Sequence, residues 1–293
     1  MIPRELLAAL RRIEITTRHL ATEKLVGSYG SVFKGQGLAF HEVRQYQPGD
    51  DVRSIDWNVS ARMRETYVKI FVEEREMTVM LVVDLSSSQK FGTRVAPKAR
   101  LAAEVAALCA FSAIKNNDRV GLILGTDQIE KIVPPKKGQK HVMRVVREIL
   151  GAQPQHTGTH LATALQTLTR VARRRSVAFL ISDFFDSGFE RALALASARH
   201  DVIPLMLADP RDEELVDVGL ATFEDLETGE SVIVDTSSVA VRQHYSAFMR
   251  RMNAQSVTTF RKLGLDYCTI RTDRTYVEPL RELFARRGRR IHR

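Results

Sequence analysis

Two apolar runs, Met80-Leu81-Val82-Val83 and Val177-Ala178-Phe179-Leu180-Ile181, each stop abruptly on a polar loop that carries an aspartate. Short runs without alternation suit strands buried on both faces, and such strands belong to parallel sheets covered by crossover helices. From residue 77 onward the pattern repeats that logic. It predicts strands at 79–84, 118–124, 177–182, 202–207 and 265–271, with a short edge segment at 128–133. Helices are predicted at about 97–115, 139–150, 160–173, 188–199, 238–263 and 276–286. Pro134-Pro135-Lys136-Lys137-Gly138 reads as an exposed basic turn, and Arg173-Arg174-Arg175 as cations suiting a helix C-terminus. The expected fold is α/β, a Rossmann-type, mostly parallel sheet with helices on both faces. Residues at about 215–235 break the alternation and predict an inserted β-hairpin turning at Thr228-Gly229.

Ahead of this region the signals differ. Leu6, Leu7, Leu10 and Ile13 recur at helical spacing and predict an amphipathic helix over 4–20. Residues 25–76 read as β-structure between Gly, Pro and Asp clusters, including 38–40 and 67–72. The chain therefore divides into residues 1–76, a helix and a β-rich subdomain, and residues 77–293. A polar cluster of Arg44, Asp50, Asp51, Arg53 and Asp56 beside Trp57 reads as an ion-pair scaffold in preference to a binding edge or a hydrolytic carboxylate pair.

The first apolar run leads into Asp84-Leu85-Ser86-Ser87-Ser88. If the backbone stays extended, positions 84, 86 and 88 point to one side. One carboxylate and two hydroxyls are oxygen donors suited to a divalent cation but too few for a closed cage, so a position stays free for a ligand from another molecule. Thr157-Gly158-Thr159 lies at a helix entry, and Asp183 follows the second apolar run in Ser182-Asp183-Phe184-Phe185-Asp186. Ligands of open α/β sheets bind beyond the carboxyl ends of the strands. Three oxygen-bearing loops at that edge make a candidate cation site; the alternative is that Thr159 and Asp183 separately cap helices.

That order of D-x-S-x-S, Gly-Thr loop and strand-end aspartate resembles the metal-ion-dependent adhesion site of von Willebrand factor A domains. The resemblance implies Asp84, Ser86, Ser88, Thr159 and Asp183 as metal ligands, with Mg²⁺, Mn²⁺ or Ca²⁺ as the ion. Typical A domains follow the last aspartate with Gly, whereas here Phe184 and Phe185 follow, which leaves open whether Asp183 or Asp186 faces the metal. Upstream, Gly35-Gln36-Gly37-Leu38-Ala39-Phe40, the segment from Arg44 through Pro48-Gly49-Asp50-Asp51 to Asp56-Trp57, and Ala61-Arg62 resemble a bacterial family, domain of unknown function 58. Its members contain an A-type domain. The likeness implies a MoxR-type AAA+ ATPase as partner, acting with this protein on a client.

The remaining properties narrow the functional classes. No stretch approaches the roughly 18–20 consecutive apolar residues of a membrane span. The first fifteen residues are interrupted by Arg and Glu and do not form a secretory signal, so a cytoplasmic protein is expected. Cys109 and Cys268 read as buried, reduced thiols. The net charge of +9 invites a nucleic-acid partner. Its distribution argues against one: residues 211–235 hold nine acidic residues and one Arg, and 236–293 hold thirteen basic and four acidic. A metal-dependent phosphohydrolase or nuclease is the enzymatic alternative, with His156 and His160 as candidate acid–base groups. No Walker A loop or G-x-S-x-G elbow is present, and position 86 is Ser where an aspartyl nucleophile usually has a second carboxylate two residues on. A non-enzymatic interaction module is the favoured reading.

Overall fold

The computed structural model describes residues 39–72, 76–90, 97–225 and 229–291. The helix expected over 4–20 and the Gly35–Leu38 motif lie outside the described residues. Two compact units divide between Met77 and Thr78.

In the first unit β1 (Ala39–Gln45) pairs antiparallel with β2 (Tyr67–Val72), with a register shift between Phe40 and Glu42. The reading of 25–76 as β-structure needs correcting, because the connection contains a 3₁₀ turn (Val52–Ser54) and a helix, α1 (Trp57–Met63). A seven-residue helix is too short to announce itself by periodicity, and its cap nucleates it. Asp56 accepts hydrogen bonds from the Asn58 and Val59 amides at 3.0 and 3.2 Å, and Arg64 at φ 58° ends the helix. Arg44, Asp50 and Asp51 of the polar cluster are equally occupied. Arg44 makes a bidentate pair with Asp50 at 2.9 and 2.7 Å, Asp50 also accepts from the Gln47 amide, and Asp51 caps the 3₁₀ turn. Trp57 is exposed.

The second unit is an α/β domain. Its strands are β3 (Thr78–Asp84), β4 (Arg119–Gly125), β5 (Ile129–Lys136), β6 (Val177–Ser182), β7 (Asp201–Ala208), a hairpin of β8 (Leu220–Glu224) and β9 (Ser231–Asp235), and β10 (Cys268–Arg271). The six-stranded sheet runs β10-β7-β6-β3-β4-β5, parallel throughout except for β5. This is the expected Rossmann-type, mostly parallel sheet. The helices are α2 (Lys98–Lys115), α3 (Gln139–Leu150), α4 (Leu161–Val171), α5 (Glu190–Arg199), the single turn α6 (Pro210–Glu213), α7 (Val239–Lys262) and α8 (Val277–Ile291).

Both faces of the sheet are covered, which is why its strands are apolar without alternation. On one face Met80, Val82, Ala178, Leu180 and Val202 meet Leu165 and Leu168 of α4, Leu193 of α5 and Phe260 of α7. On the other, Phe179 packs edge-on against Phe284 of α8, with ring centroids 6.3 Å apart. Side chains of this size each stabilise the fold by about 1.5–3 kcal/mol when fully buried. The helix α2 is buried over almost its whole length, from Leu101 to Ala113. Cys109 and Cys268 are free and buried. No described helix is long and apolar enough to cross a membrane.

Two local expectations need correcting. Pro134, Pro135 and Lys136 do not form a turn; they continue β5. An edge strand tolerates prolines because its outer side needs no N–H donor. The arginine triplet lies beyond α4, exposed, and Arg170 alone is the basic residue of that helix's last turn.

The loop after β6 contains a buried residue in the left-handed region, Phe184 at φ 59°. Glycine would suit this conformation, since it carries no Cβ penalty there. Phenylalanine is retained by packing: its ring lies 5.0 Å from that of Phe260 and 5.8 Å from that of Phe189. Truncation of a buried Phe costs about 3–5 kcal/mol, and left-handed strain about 1–3. Phe184→Gly loses the packing but relieves the strain, whereas Phe184→Ala loses the packing and keeps it. Urea unfolding should therefore place Gly above Ala in stability by about 1 kcal/mol, the reverse of their usual order.

Candidate metal centre

The strands β3 and β6 lie side by side at the middle of the sheet, and the chain leaves them towards opposite edges. This is the topological switch point, where a crevice opens beyond the strand ends. Asp84 is the last residue of β3, and Asp183 follows the last residue of β6. Ser182 donates its hydroxyl proton to Asp84 Oδ2 at 2.6 Å, while the Ser86 amide donates to Oδ1 at 2.8 Å. Ser86 Oγ and Ser88 Oγ are 2.9 Å apart. Neighbouring ligands of an octahedral Mg²⁺ at roughly 2.0–2.1 Å stand about 2.9 Å from each other, so this pair fits one edge of such a shell. Asp84, Ser86 and Asp183 are buried; Ser88 and Thr159 are half-exposed.

Thr159 is held on the loop between α3 and α4. The Ser87 amide donates to Thr157 O at 3.0 Å, and the His160 amide donates to Thr126 O at 3.2 Å. These bonds stitch the Thr-Gly-Thr loop to the Asp84–Ser88 loop on one side and to the β4–β5 turn on the other. Glu130 of β5 completes the fixation: its Oε1 accepts from the Gln155 and His156 amides, the Thr126 hydroxyl and His156 Nδ1 at 3.0–3.2 Å.

The reading of Thr159 and Asp183 as separate helix caps does not hold. Residue His160 occupies the N-cap position of α4 and Phe189 that of α5, and neither side chain caps its helix. The α4 cap comes from Asp186, whose Oδ2 accepts from the Leu161 amide at 2.7 Å while Oδ1 accepts from Ser187. Asp186 is thereby committed to a helix terminus. Asp183 is the carboxylate that acts electrostatically on Asp84. Burial first, and then the Asp183 charge, push the Asp84 carboxyl up to about 6.

A buried lysine completes the cluster. Lys98, the first residue of α2, is 1% exposed; its Nζ lies 2.7 Å from Asp183 Oδ2 and 3.1 Å from Asp212 Oδ2, beneath the Phe185 ring at 5.2 Å. Burial alone would lower the ammonium pKa, but Asp183 and Asp212 outweigh it and hold Lys98 above the ordinary lysine value. Asp212 is presented by the capping box of α6, where it accepts from the Asp209 amide at 3.0 Å. Asp183 and Asp212 thus flank one ammonium, and with Asp84 beside Asp183 the three ionised carboxylates leave the cluster two negative charges in surplus. Among the described residues no group of three or more His, Cys, Asp or Glu is assembled as a metal cage. The donors gathered here are carboxylate and hydroxyl oxygens, the set preferred by a hard cation.

Sequence comparison identifies the family. The family model for "Protein of unknown function DUF58" matches residues 42–255. The chain belongs to the DUF58 family. Uncharacterized protein Rv1480 of Mycobacterium tuberculosis is 34% identical over 97% of this DUF58 chain and 90% of its own length. Uncharacterized protein YeaD of Bacillus subtilis is 27% identical over 59% and 40%. Among solved structures, conserved hypothetical protein BatB from Bacteroides thetaiotaomicron overlaps 73% of this chain and 99% of its own, with 15% identity and a TM-score of 0.47. The von Willebrand factor type A protein from Catenulispora acidiphila overlaps 76% and 44%, with 13% identity and a TM-score of 0.41.

The ligand set marked by sequence in this DUF58 domain, Asp84, Ser86, Ser88, Thr159 and Asp183, lies on three loops joined by hydrogen bonds. Ser182, Lys98, Asp212 and Glu130 were not marked. Ser182 was accessible in principle, since it continues the register that pairs Val83 with Ile181. Lys98 and Asp212 carried no local signal.

Two outcomes follow for the DUF58 domain. Lys98→Met leaves Asp183 and Asp212 buried without a counter-charge and should cost about 3–5 kcal/mol in urea unfolding. Glu130 reports on pH. Burial would raise its carboxyl, but the Gln155 amide, the His156 ring and amide, and the Thr126 hydroxyl hold it below the ordinary glutamate value. A folded-state pKa below the unfolded one stabilises the fold above about 4.3, and that contribution is lost as pH falls through the folded value. Wild type should therefore be more stable than Glu130→Gln at pH 7, with the difference closing towards pH 3.

Proposed function

We propose that this domain is a non-enzymatic protein-interaction module whose binding depends on a divalent cation, and that it works in the cytoplasm with a MoxR-type AAA+ ATPase on client proteins. The observation that carries the reading is the pair of hydroxyl oxygens of Ser86 and Ser88, 2.9 Å apart beside the buried Asp84 at the switch point. In this reading Mg²⁺, or Mn²⁺ or Ca²⁺ in its place, is held by Asp84, Ser86, Ser88 and Thr159. Asp183 adds negative charge and its Oδ1, since Lys98 engages Oδ2. When bound, the ion supplies a fixed positive charge with an open coordination position, which an Asp or Glu of a partner can fill. The surplus negative charge of the cluster favours cation uptake.

Support for a binding role over hydrolysis comes from how the candidate acid–base groups are used. His156 Nδ1 is paired with Glu130 at 3.0 Å, and His160 Nδ1 with the Thr163 hydroxyl at 2.7 Å. Both histidines fix the loop that carries Thr159. The ATPase partner rests on the resemblance to domain of unknown function 58, whose members accompany such ATPases.

The test combines calorimetry with affinity capture. Purified wild type should take up Mg²⁺, and Asp84→Ala should lose at least tenfold in affinity for it. Immobilised wild type should retain a AAA+ ATPase from native lysate in Mg²⁺ and release it in EDTA, whereas Asp84→Ala retains none. Equal retention by both proteins, or retention insensitive to EDTA, excludes the metal-capture reading.

A further inference from the structure

A groove of about 960 Å³ opens beside the candidate metal centre, and Ser88 and Lys98 form part of its wall. The remaining wall comes from the β8–β9 hairpin, the segment after α6, and α7. Its floor is apolar, with Phe185, Leu215, Phe223, Val232, Tyr245 and Met249. A second apolar hollow of about 650 Å³ shares Leu215, Phe223, Val232 and Tyr245 and extends along α7 to His244 and Phe248. The hairpin register explains the lining. Phe223 pairs with Val232 and Ala221 with Val234, so these side chains share one face of the ribbon. Val232 is 59% and Phe248 54% exposed, an apolar surface contiguous enough to mark an interaction site.

The rim carries the opposite character. The exposed carboxylates of Glu214, Glu224, Asp225 and Glu230 line the groove, whereas its cations are Arg211 and Lys98, the latter held by Asp183 and Asp212. The whole chain bears a net charge of +9, so this is an acidic groove on a basic protein. Apolar floor and acidic rim define the complementary ligand.

We infer that this groove is a second docking surface, independent of the metal, for an amphipathic segment of a partner protein that presents apolar side chains flanked by Lys or Arg. The apolar side chains bury against Phe223, Val232, Tyr245 and Met249, while the flanking cations meet the carboxylates of the rim. Such segments bind hydrophobic grooves through anchors at helical spacing, with rim charges selecting the partner. A partner held in this groove also lies beside Ser88, where the proposed cation would meet its carboxylate.

The probe is a fluorescein-labelled peptide of leucines and lysines at helical spacing, compared with the same pattern in which glutamate replaces lysine. The full chain should bind the Leu/Lys peptide saturably, unchanged by EDTA, and ignore the Leu/Glu peptide. Glu224→Lys with Glu230→Lys, both at exposed positions, should weaken Leu/Lys binding at least tenfold and admit the Leu/Glu peptide; Phe223→Ser should weaken both. Asp84→Ala should leave peptide binding intact, so this inference and the metal reading fail separately. The inference is overturned by equal binding of the two peptides, by affinity unchanged in the charge-reversed protein, or by no saturable binding. It is also overturned if sedimentation reveals a dimer that Phe223→Ser makes monomeric, because a second copy then covers the groove.

Discussion

The buried ammonium of Lys98 ties together three elements that are far apart in sequence. Asp183 lies 85 residues away and Asp212 lies 114 residues away, yet both carboxylates converge on one nitrogen. The placement is costly in isolation. An ion taken out of water loses several kcal/mol of solvation, and a cation at a helix N-terminus opposes the helix dipole. Two carboxylates offset both penalties, and they do so only when β6, α6 and the start of α2 meet correctly. The cluster therefore specifies how the loops at the sheet's carboxyl edge assemble. It also presents Asp183 beside Asp84, on which the electrostatics of the candidate centre depend.

Around that cluster the site is built by hydrogen bonds between loops. Ser182 holds Asp84 from the neighbouring strand, Ser87 holds Thr157, and Glu130 holds the backbone of residues 155 and 156. A cation centre on loops gains precision when rigid elements support each loop. Here the supports are β3 and β6, whose buried side chains leave little freedom of register, and the edge strand β5, which pairs with β4. The strained Phe184 belongs to the same design: an aromatic cluster with Phe189 and Phe260 keeps the β6 loop in one conformation.

Much of the domain was legible from local pattern. Apolar runs ending on aspartates identified β3 and β6, and strand–helix alternation identified the sheet class. The extended spacing expected for Asp84, Ser86 and Ser88 does not persist, because the strand ends at Asp84 and Ser87–Lys90 turns into a 3₁₀ helix; the hydroxyls of Ser86 and Ser88 meet all the same. Other features were hidden because their cause is not local. The helix α1 depends on one cap at Asp56, and Pro134 and Pro135 stay in β5 only because that strand is at an edge. Lys98 looked like an ordinary first residue of an Ala-rich helix, and Asp212 like one member of an acidic stretch. Asp183 and Asp186 were equivalent candidates until the Leu161 amide was seen to claim Asp186.

By itself the sequence determined the layer architecture, the strands that end at the switch point and the oxygen-bearing side chains placed there. These follow from hydrophobic periodicity and from the chemistry of single residues, both of which act over a few positions. Tertiary structure alone decided which carboxylate faces Asp84, which cation neutralises it, and that the hairpin and α7 enclose an acidic-rimmed apolar groove. Those outcomes depend on distances between residues remote along the chain, set when burial of the sheet's two faces brings the loops to one edge.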